Sequence, residues 1–222
     1  MNQPSYRQPE LPAWQRSAAD ELVNAATHAF GLLLAVVGAL VMAGGVWGHG
    51  DTWRVVGCAV YLASLMAVYT MSTLSHSAKS PRWKSLFRRL DQGFIYLLIA
   101  ATYTPFSLAY LRTGLWWVLL GAMWAVAVVG FIAKVFFAHR VEAVSVASYV
   151  LLGWMPITAA PALVHTLPMG AFWWMLAGGA CYTIGTLFLT FDERVRHFHA
   201  VWHLCVIAGS VCHFLGILLF VV

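Results

Sequence analysis

Long apolar runs separated by short polar connections dominate the chain. Seven of them approach or exceed the roughly 20 mostly apolar residues that an α-helix needs to cross a bilayer. The pattern predicts an all-α fold, a seven-transmembrane helix bundle over residues 21–222 that follows a polar N-terminal tail over residues 1–20. The predicted spans are 24–47, 53–76, 91–111, 115–137, 141–161, 170–190 and 197–221. Pro105 and Pro156 fall inside two of them and predict kinks.

Composition agrees with a membrane protein. The chain is 61% hydrophobic and 9% charged, whereas soluble domains carry about 25% charged residues. Its net charge of +5 comes from basic residues in the short connections, as in topology determinants, so nucleic acid is not expected as a partner. The four cysteines lie in apolar segments without CxxC spacing, so the fold is not expected to depend on disulfides.

The basic residues predict an orientation. Eleven lie in the tail and in the connections after the second, fourth and sixth spans, among them Arg7, Arg16 and Arg140, whereas only Arg54 and Arg112 lie on the other side. The positive-inside rule then places the N-terminus in the cytoplasm and the C-terminus outside. We expect a multi-pass protein of the bacterial inner (plasma) membrane, with membrane lipids around it and a lipid-like substrate or ligand.

Several polar residues fall at the predicted cytoplasmic ends of the spans. His199 and His203 open the seventh span one helical turn apart, so they share a face; Ser72 and His76 have the same spacing at the end of the second. Asp91 begins the third span. Three imidazoles are a common ligand set for catalytic zinc, and a carboxylate beside them can act on water. The combination predicts a zinc site with His76, His199 and His203 as ligands.

Each residue alone has a simpler interpretation. Two interfacial histidines often face lipid headgroups, Asp91 can cap its helix, and Ser72 can bond to a carbonyl of its own helix. Only the agreement in depth favours metal binding.

Glu21, Asn24 and His28 share a face at the entry of the first span. Either they cap the helix and face solvent, or they form an outer layer that orients the metal ligands. His28 lies one turn deeper and competes as a ligand.

The motifs ELVNAATH, STLSH, LDQGFIYLLIAATYTPF and FHAVWHLCVIAGSVCHF resemble hemolysin III proteins, the bacterial branch of the progestin and adiponectin receptor family. The resemblance covers nearly the whole chain. It implies seven helices with a cytoplasmic N-terminus and, as in the related alkaline ceramidases, zinc held by His76, His199 and His203. It also implies that Asp91 holds a water and that Ser72 completes the site.

Three functions are compatible with these observations. The first is a zinc-dependent hydrolase of a lipid amide or ester, with Asp91 and Ser72 as catalytic residues. The second is a non-catalytic sensor or regulator of membrane homeostasis in which zinc is structural. The third is a hemolysin-type pore, which the scarcity of charges in the spans disfavours.

Overall fold

The computed structural model describes residues 17–46, 51–137 and 145–222. Residues 1–16 of the predicted tail, with Arg7 and Arg16, and Arg140 of the charge count lie outside the described residues. Every secondary-structure element in these residues is a helix. The helices are α1 Ala18–Val46, α2 Thr52–Ser77, α3 Pro81–Tyr110, α4 Leu115–Phe137, α5 Ser145–Trp154, α6 Ala160–Thr166, α7 Met169–Thr190 and α8 Phe198–Phe220, with a 3₁₀ segment Met155–Ala159 between α5 and α6.

Six of these helices, α1 to α4, α7 and α8, are long and apolar enough to cross a membrane in the part of the chain that the structure describes. The fifth predicted span is instead broken into α5, the 3₁₀ segment and α6. Pro156 stands at the start of the 3₁₀ segment, where its missing N–H and its ring disrupt the α-helical ladder. Pro105 has a milder effect and stays inside α3. The seven-span count and the orientation of the termini stay predictions.

The third helix begins ten residues before the predicted span. Ser80 precedes it and Pro81 occupies its first turn, a position where proline is favoured because the first N–H groups have no helical partner. The residues of this extension, PRWKSLFRRL, are largely polar and basic, so the pattern of apolar runs does not predict it. Asp91 therefore lies inside α3, and the interpretation of Asp91 as a helix cap is wrong.

The bundle is packed around buried aromatic and aliphatic side chains, with Tyr61, Phe106 and Met123 fully enclosed. Large apolar side chains of α1 and α4 point outward instead, including Leu40 and Val129. An outward apolar surface of this kind suits a hydrocarbon solvent. The last turn of α2 and the first turns of α1, α3 and α8 meet at one end of the bundle, where the polar residues gather.

Candidate metal centre

Three imidazoles converge at the end of the bundle where α2 finishes and α8 begins. His76 belongs to the last turn of α2, and His199 and His203 to the first two turns of α8. One ligand atom of each residue lies within 4.8 Å of the other two. The Nε2 atoms of His76 and His199 are 3.2 Å apart. These three residues can hold a metal ion.

The Nδ1 atom of each imidazole has its own partner. His76 Nδ1 lies 2.8 Å from Glu21 Oε2, and His199 Nδ1 lies 2.7 Å from Asp192 Oδ2. His203 Nδ1 lies 2.9 Å from Thr27 Oγ1. Outer partners of this kind fix the orientation of metal-binding histidines.

These partners also decide which nitrogen carries the proton. A carboxylate accepts, so the neutral rings of His76 and His199 donate from Nδ1 and keep a lone pair on Nε2. Two such lone pairs 3.2 Å apart repel each other unless a cation lies between them. Zinc–nitrogen bonds of about 2.0–2.1 Å at a tetrahedral angle separate two nitrogens by about 3.3 Å. The donor set therefore fits a tetrahedral metal ion.

The first helix supplies two of the three outer partners. Thr27 Oγ1 donates to the carbonyl of Asn24 at 2.9 Å, so it accepts the proton of His203. Glu21 bridges α1 to α3 as well, because its second carboxylate oxygen lies 2.6 Å from Lys84 Nζ. Hydrogen bonds thus clamp α1 against the ligands on α2 and α8.

Glu21, Asn24 and His28, the three residues at the entry of α1, contact the cluster in different ways. Glu21 contacts His76, whereas Asn24 takes part through its backbone carbonyl, 3.2 Å from His203 Nδ1. Ser17 caps the helix instead, since its Oγ accepts from the Asp20 N–H at 3.0 Å.

His28 stacks on His203 with ring centroids 3.5 Å apart. It is 3% exposed, and neither of its nitrogens has a hydrogen-bond partner. Within the described residues it lies outside the group of mutually close ligand atoms. His28 is therefore a neighbour of the candidate ligands and not one of the convergent three.

Asp91 and Ser72 face the same space as the histidines. Ser72 is completely buried on α2, and its Oγ completes no hydrogen bond. Asp91 is half-buried on α3 and interacts electrostatically with Ser72 and with Arg88. Asp91 is not among the three mutually close ligands that the described residues contain.

Sequence reasoning missed Thr27, Lys84 and Asp192. Asp192 lies in the connection before α8, seven residues from His199, and a loop has no helical register from which its contact could be read. Lys84 lies in the unrecognised extension of α3. Thr27 carries a usable signal, because it lies three residues after Asn24 and is therefore its neighbour on the surface of α1.

A cavity of about 890 Å³ begins at this cluster and continues toward the other end of the bundle. Its lining includes Asp91 and Ser72 near the cluster, apolar residues such as Leu98, Met123 and Leu176, and His213 at the far end. Ligand-binding pockets usually measure about 300–1,000 Å³. The cavity is large enough for a lipid chain.

The fold and the cluster define a multi-pass membrane protein with a three-histidine candidate metal centre beside a deep cavity. A family model described as haemolysin-III related matches residues 16–214. The chain therefore belongs to the haemolysin-III-related family.

Curated relatives cover almost the whole chain. Hemolysin-3 of Bacillus cereus is 39% identical over 91% of this chain and 92% of its own length. The hemolysin-3 homolog of Bacillus subtilis is 34% identical over 91% of this chain and 95% of its own length. The human monocyte to macrophage differentiation factor is 25% identical over 96% of this chain and 89% of its own length.

Proposed function

We propose that the protein is a zinc-dependent hydrolase of a lipid amide or ester, acting at the cytoplasmic face of the plasma membrane. One observation carries this proposal. Each of the three imidazoles brings one ligand atom within 4.8 Å of the other two, and all three line a lipid-sized cavity that also contains a carboxylate. A purely structural cluster has no need of such a cavity.

The residues have separable roles. Zinc, held by His76, His199 and His203, would supply a Lewis acid that polarises a carbonyl and an attacking water. Asp91 is placed to accept a proton from that water and return it to the leaving amine or alkoxide. The Ser72 hydroxyl interacts with Asp91 but completes no hydrogen bond, so it can turn to donate to the substrate carbonyl oxygen.

The cavity sets the shape of the substrate. Its apolar lining between α3, α5 and α7 takes an acyl chain, which leaves the reacting carbonyl at the polar end. Lys84, Arg88 and Glu193 also line the cavity at that end, so the headgroup meets charged side chains near the membrane surface. An amphipathic lipid satisfies both requirements.

The test uses purified protein in nanodiscs, with a panel of amide- and ester-linked lipids. The protein is stripped with a chelator and then reconstituted with zinc or with magnesium as a control. We expect zinc to bind at one ion per chain and to restore hydrolysis of at least one lipid class. Stoichiometric zinc without turnover of any lipid would count against the proposal.

The second function, a zinc-stabilised sensor, has one observation in its favour. His28 is buried beside the cluster with both nitrogens unpartnered, and a fourth imidazole ligand would close the metal's shell. X-ray absorption at the zinc edge separates the two functions. Three nitrogens and one oxygen support the hydrolase, whereas four nitrogens that fall to three in His28→Ala support the sensor.

The name of the Bacillus relatives suggests cytolysis as a third function. The cavity and the buried cluster give no reason to prefer it. Ion conductance in planar bilayers that survives His76→Ala would favour a pore over either zinc-dependent function.

A further inference from the structure

The far end of the cavity holds a second group of polar side chains that the proposed hydrolysis does not use. His213 of α8 and Tyr103 of α3 both line the cavity, and they are 6% and 3% exposed. His213 Nδ1 and Tyr103 Oη have no hydrogen-bond partner. Tyr103 interacts electrostatically with Ser107, one turn along its own helix, without completing a hydrogen bond. A buried polar group without a partner is costly, so each such group calls for an explanation.

The two side chains line the same cavity as the histidine cluster. Both α3 and α8 start at the metal-binding end and run the same way. A Cβ built on Gly216 of α8 would lie 3.3 Å from the tip of the Phe106 ring of α3, so the two helices approach each other three residues beyond Tyr103 and His213.

The surrounding residues hold the His213 ring in place. Its Nε2 occupies the space where a side chain on Gly178 of α7 would begin, only 2.4 Å from a built Cβ. Tyr182 stacks on the same ring at 5.5 Å between centroids, and its own hydroxyl is bonded to Ser210 Oγ at 2.9 Å. Tyr182 is thus satisfied, whereas His213 is packed on its faces and left without a partner at Nδ1.

We propose that His213 and Tyr103 form a second polar subsite, which binds a hydrogen-bonding group such as a hydroxyl carried far along the acyl chain of the ligand. The expected position of this hydroxyl along the acyl chain rests on the proposed function, because it is counted from a carbonyl bound at the three histidines. His203 and His213 are ten residues apart, about 15 Å by helical rise. An extended carbon chain advances about 1.25 Å per bond, so the hydroxyl belongs about 12 carbons from the carbonyl.

The experiment measures binding and needs no turnover. Hexadecanoic acid, 12-hydroxyhexadecanoic acid and 3-hydroxyhexadecanoic acid displace a fluorescent fatty acid from the zinc-loaded protein in nanodiscs. One hydrogen bond to a buried, otherwise unpaired group is expected to make the 12-hydroxy acid bind about fivefold tighter than the unsubstituted acid. The 3-hydroxy isomer has the same composition and should show no such gain.

Variants assign the effect to the two residues. Tyr103→Phe and His213→Phe should each remove most of the preference, measured in each variant as the ratio of its affinities for the 12-hydroxy acid and for hexadecanoic acid. His213→Asn keeps a polar atom near the position of Nδ1 and should retain the preference even if His213→Phe folds poorly. Thr73→Val, whose hydroxyl bonds only its own helix at Tyr69 O, is the matched control.

The outcomes separate this subsite from the proposed hydrolase. A preference for the 12-hydroxy acid in a protein that hydrolyses no lipid supports the subsite and counts against the hydrolase. Hydrolysis of a lipid together with equal affinity for all three acids supports the hydrolase and overturns the subsite. Water alone would then satisfy His213 and Tyr103. A preference that persists in both phenylalanine variants also overturns the subsite.

Discussion

The two ends of the cavity both contain histidines but treat them differently. At one end every imidazole of His76, His199 and His203 has an acceptor at Nδ1. At the other end His213 has none at that atom and is held by the packing of Tyr182 and the space left by Gly178. The acceptors of the cluster fix the tautomer of each imidazole and the direction of its Nε2 lone pair. The packing around His213 fixes only the position of its ring.

This difference teaches how to tell two roles of a buried histidine apart. A metal ligand needs one nitrogen unprotonated and directed, so the protein uses a partner on the other nitrogen to set it. A residue that meets an organic ligand needs a donor or acceptor left open until the ligand arrives. Burial alone does not discriminate, because His203 and His213 are both buried. The hydrogen-bond partners do.

Removal of a convergent imidazole should have the largest effect. His203→Ala leaves two protein ligands, and we expect the metal content of purified protein to fall from about one ion per chain to nearly none. Elemental analysis by mass spectrometry after gel filtration measures it. His165→Ala on the exposed side of α6 is the matched control and should keep its metal. Full occupancy in His203→Ala would remove this residue from the ligand set.

Asp91→Asn separates metal binding from chemistry. The amide keeps the shape of the side chain but cannot take up a proton, so hydrolysis should fall by about 10²–10⁴-fold while the metal content is unchanged. Initial rates on the lipid found by the panel, with elemental analysis of the same sample, give both numbers. Asp51→Asn alters a carboxylate that caps α2 away from the cluster and serves as the control. Loss of metal in Asp91→Asn would instead make Asp91 a ligand.

The outer partners of the cluster should produce a graded effect. Thr27→Val removes the nearer of the two acceptors at His203 Nδ1, and Asp192→Asn weakens the acceptor of His199, so zinc affinity should fall by about 10–100-fold in each. Competition with a chromogenic zinc chelator measures the affinity. Thr158→Val changes an exposed hydroxyl that donates to Met155 O in the 3₁₀ segment and should not alter it. Unchanged affinity in both variants would mean that the Nδ1 contacts do not organise the site.

Sequence reasoning predicted the helical fold and grouped His76, His199 and His203, which the structure brings close together. It succeeded there because apolar run length and a spacing of four on one helix are local properties. It was less complete where tertiary context decides: the kink expected at Pro156 is a 3₁₀ segment that separates α5 from α6, and α3 starts inside a basic segment. Asp192 joins the cluster from a loop, and the path of a loop is set by the ends that it connects. The lack of a hydrogen-bond partner at His213 Nδ1 is set by the packing of α3, α7 and α8 together, which no local pattern reveals.

The smallest expected effect tests how the far end of the cavity is held. Gly178→Ala places a methyl group 2.4 Å from His213 Nε2, so the ring must move, and we expect a loss of about 1–3 kcal/mol of stability. Gly179→Ala is the adjacent control, since nothing lies within 4 Å of a Cβ there, and a helical alanine should be neutral or stabilising by up to about 1 kcal/mol. Thermal unfolding of both variants in the same detergent measures the difference. If the two glycines behave alike, packing does not hold His213, and the contrast with the hydrogen-bonded cluster no longer stands.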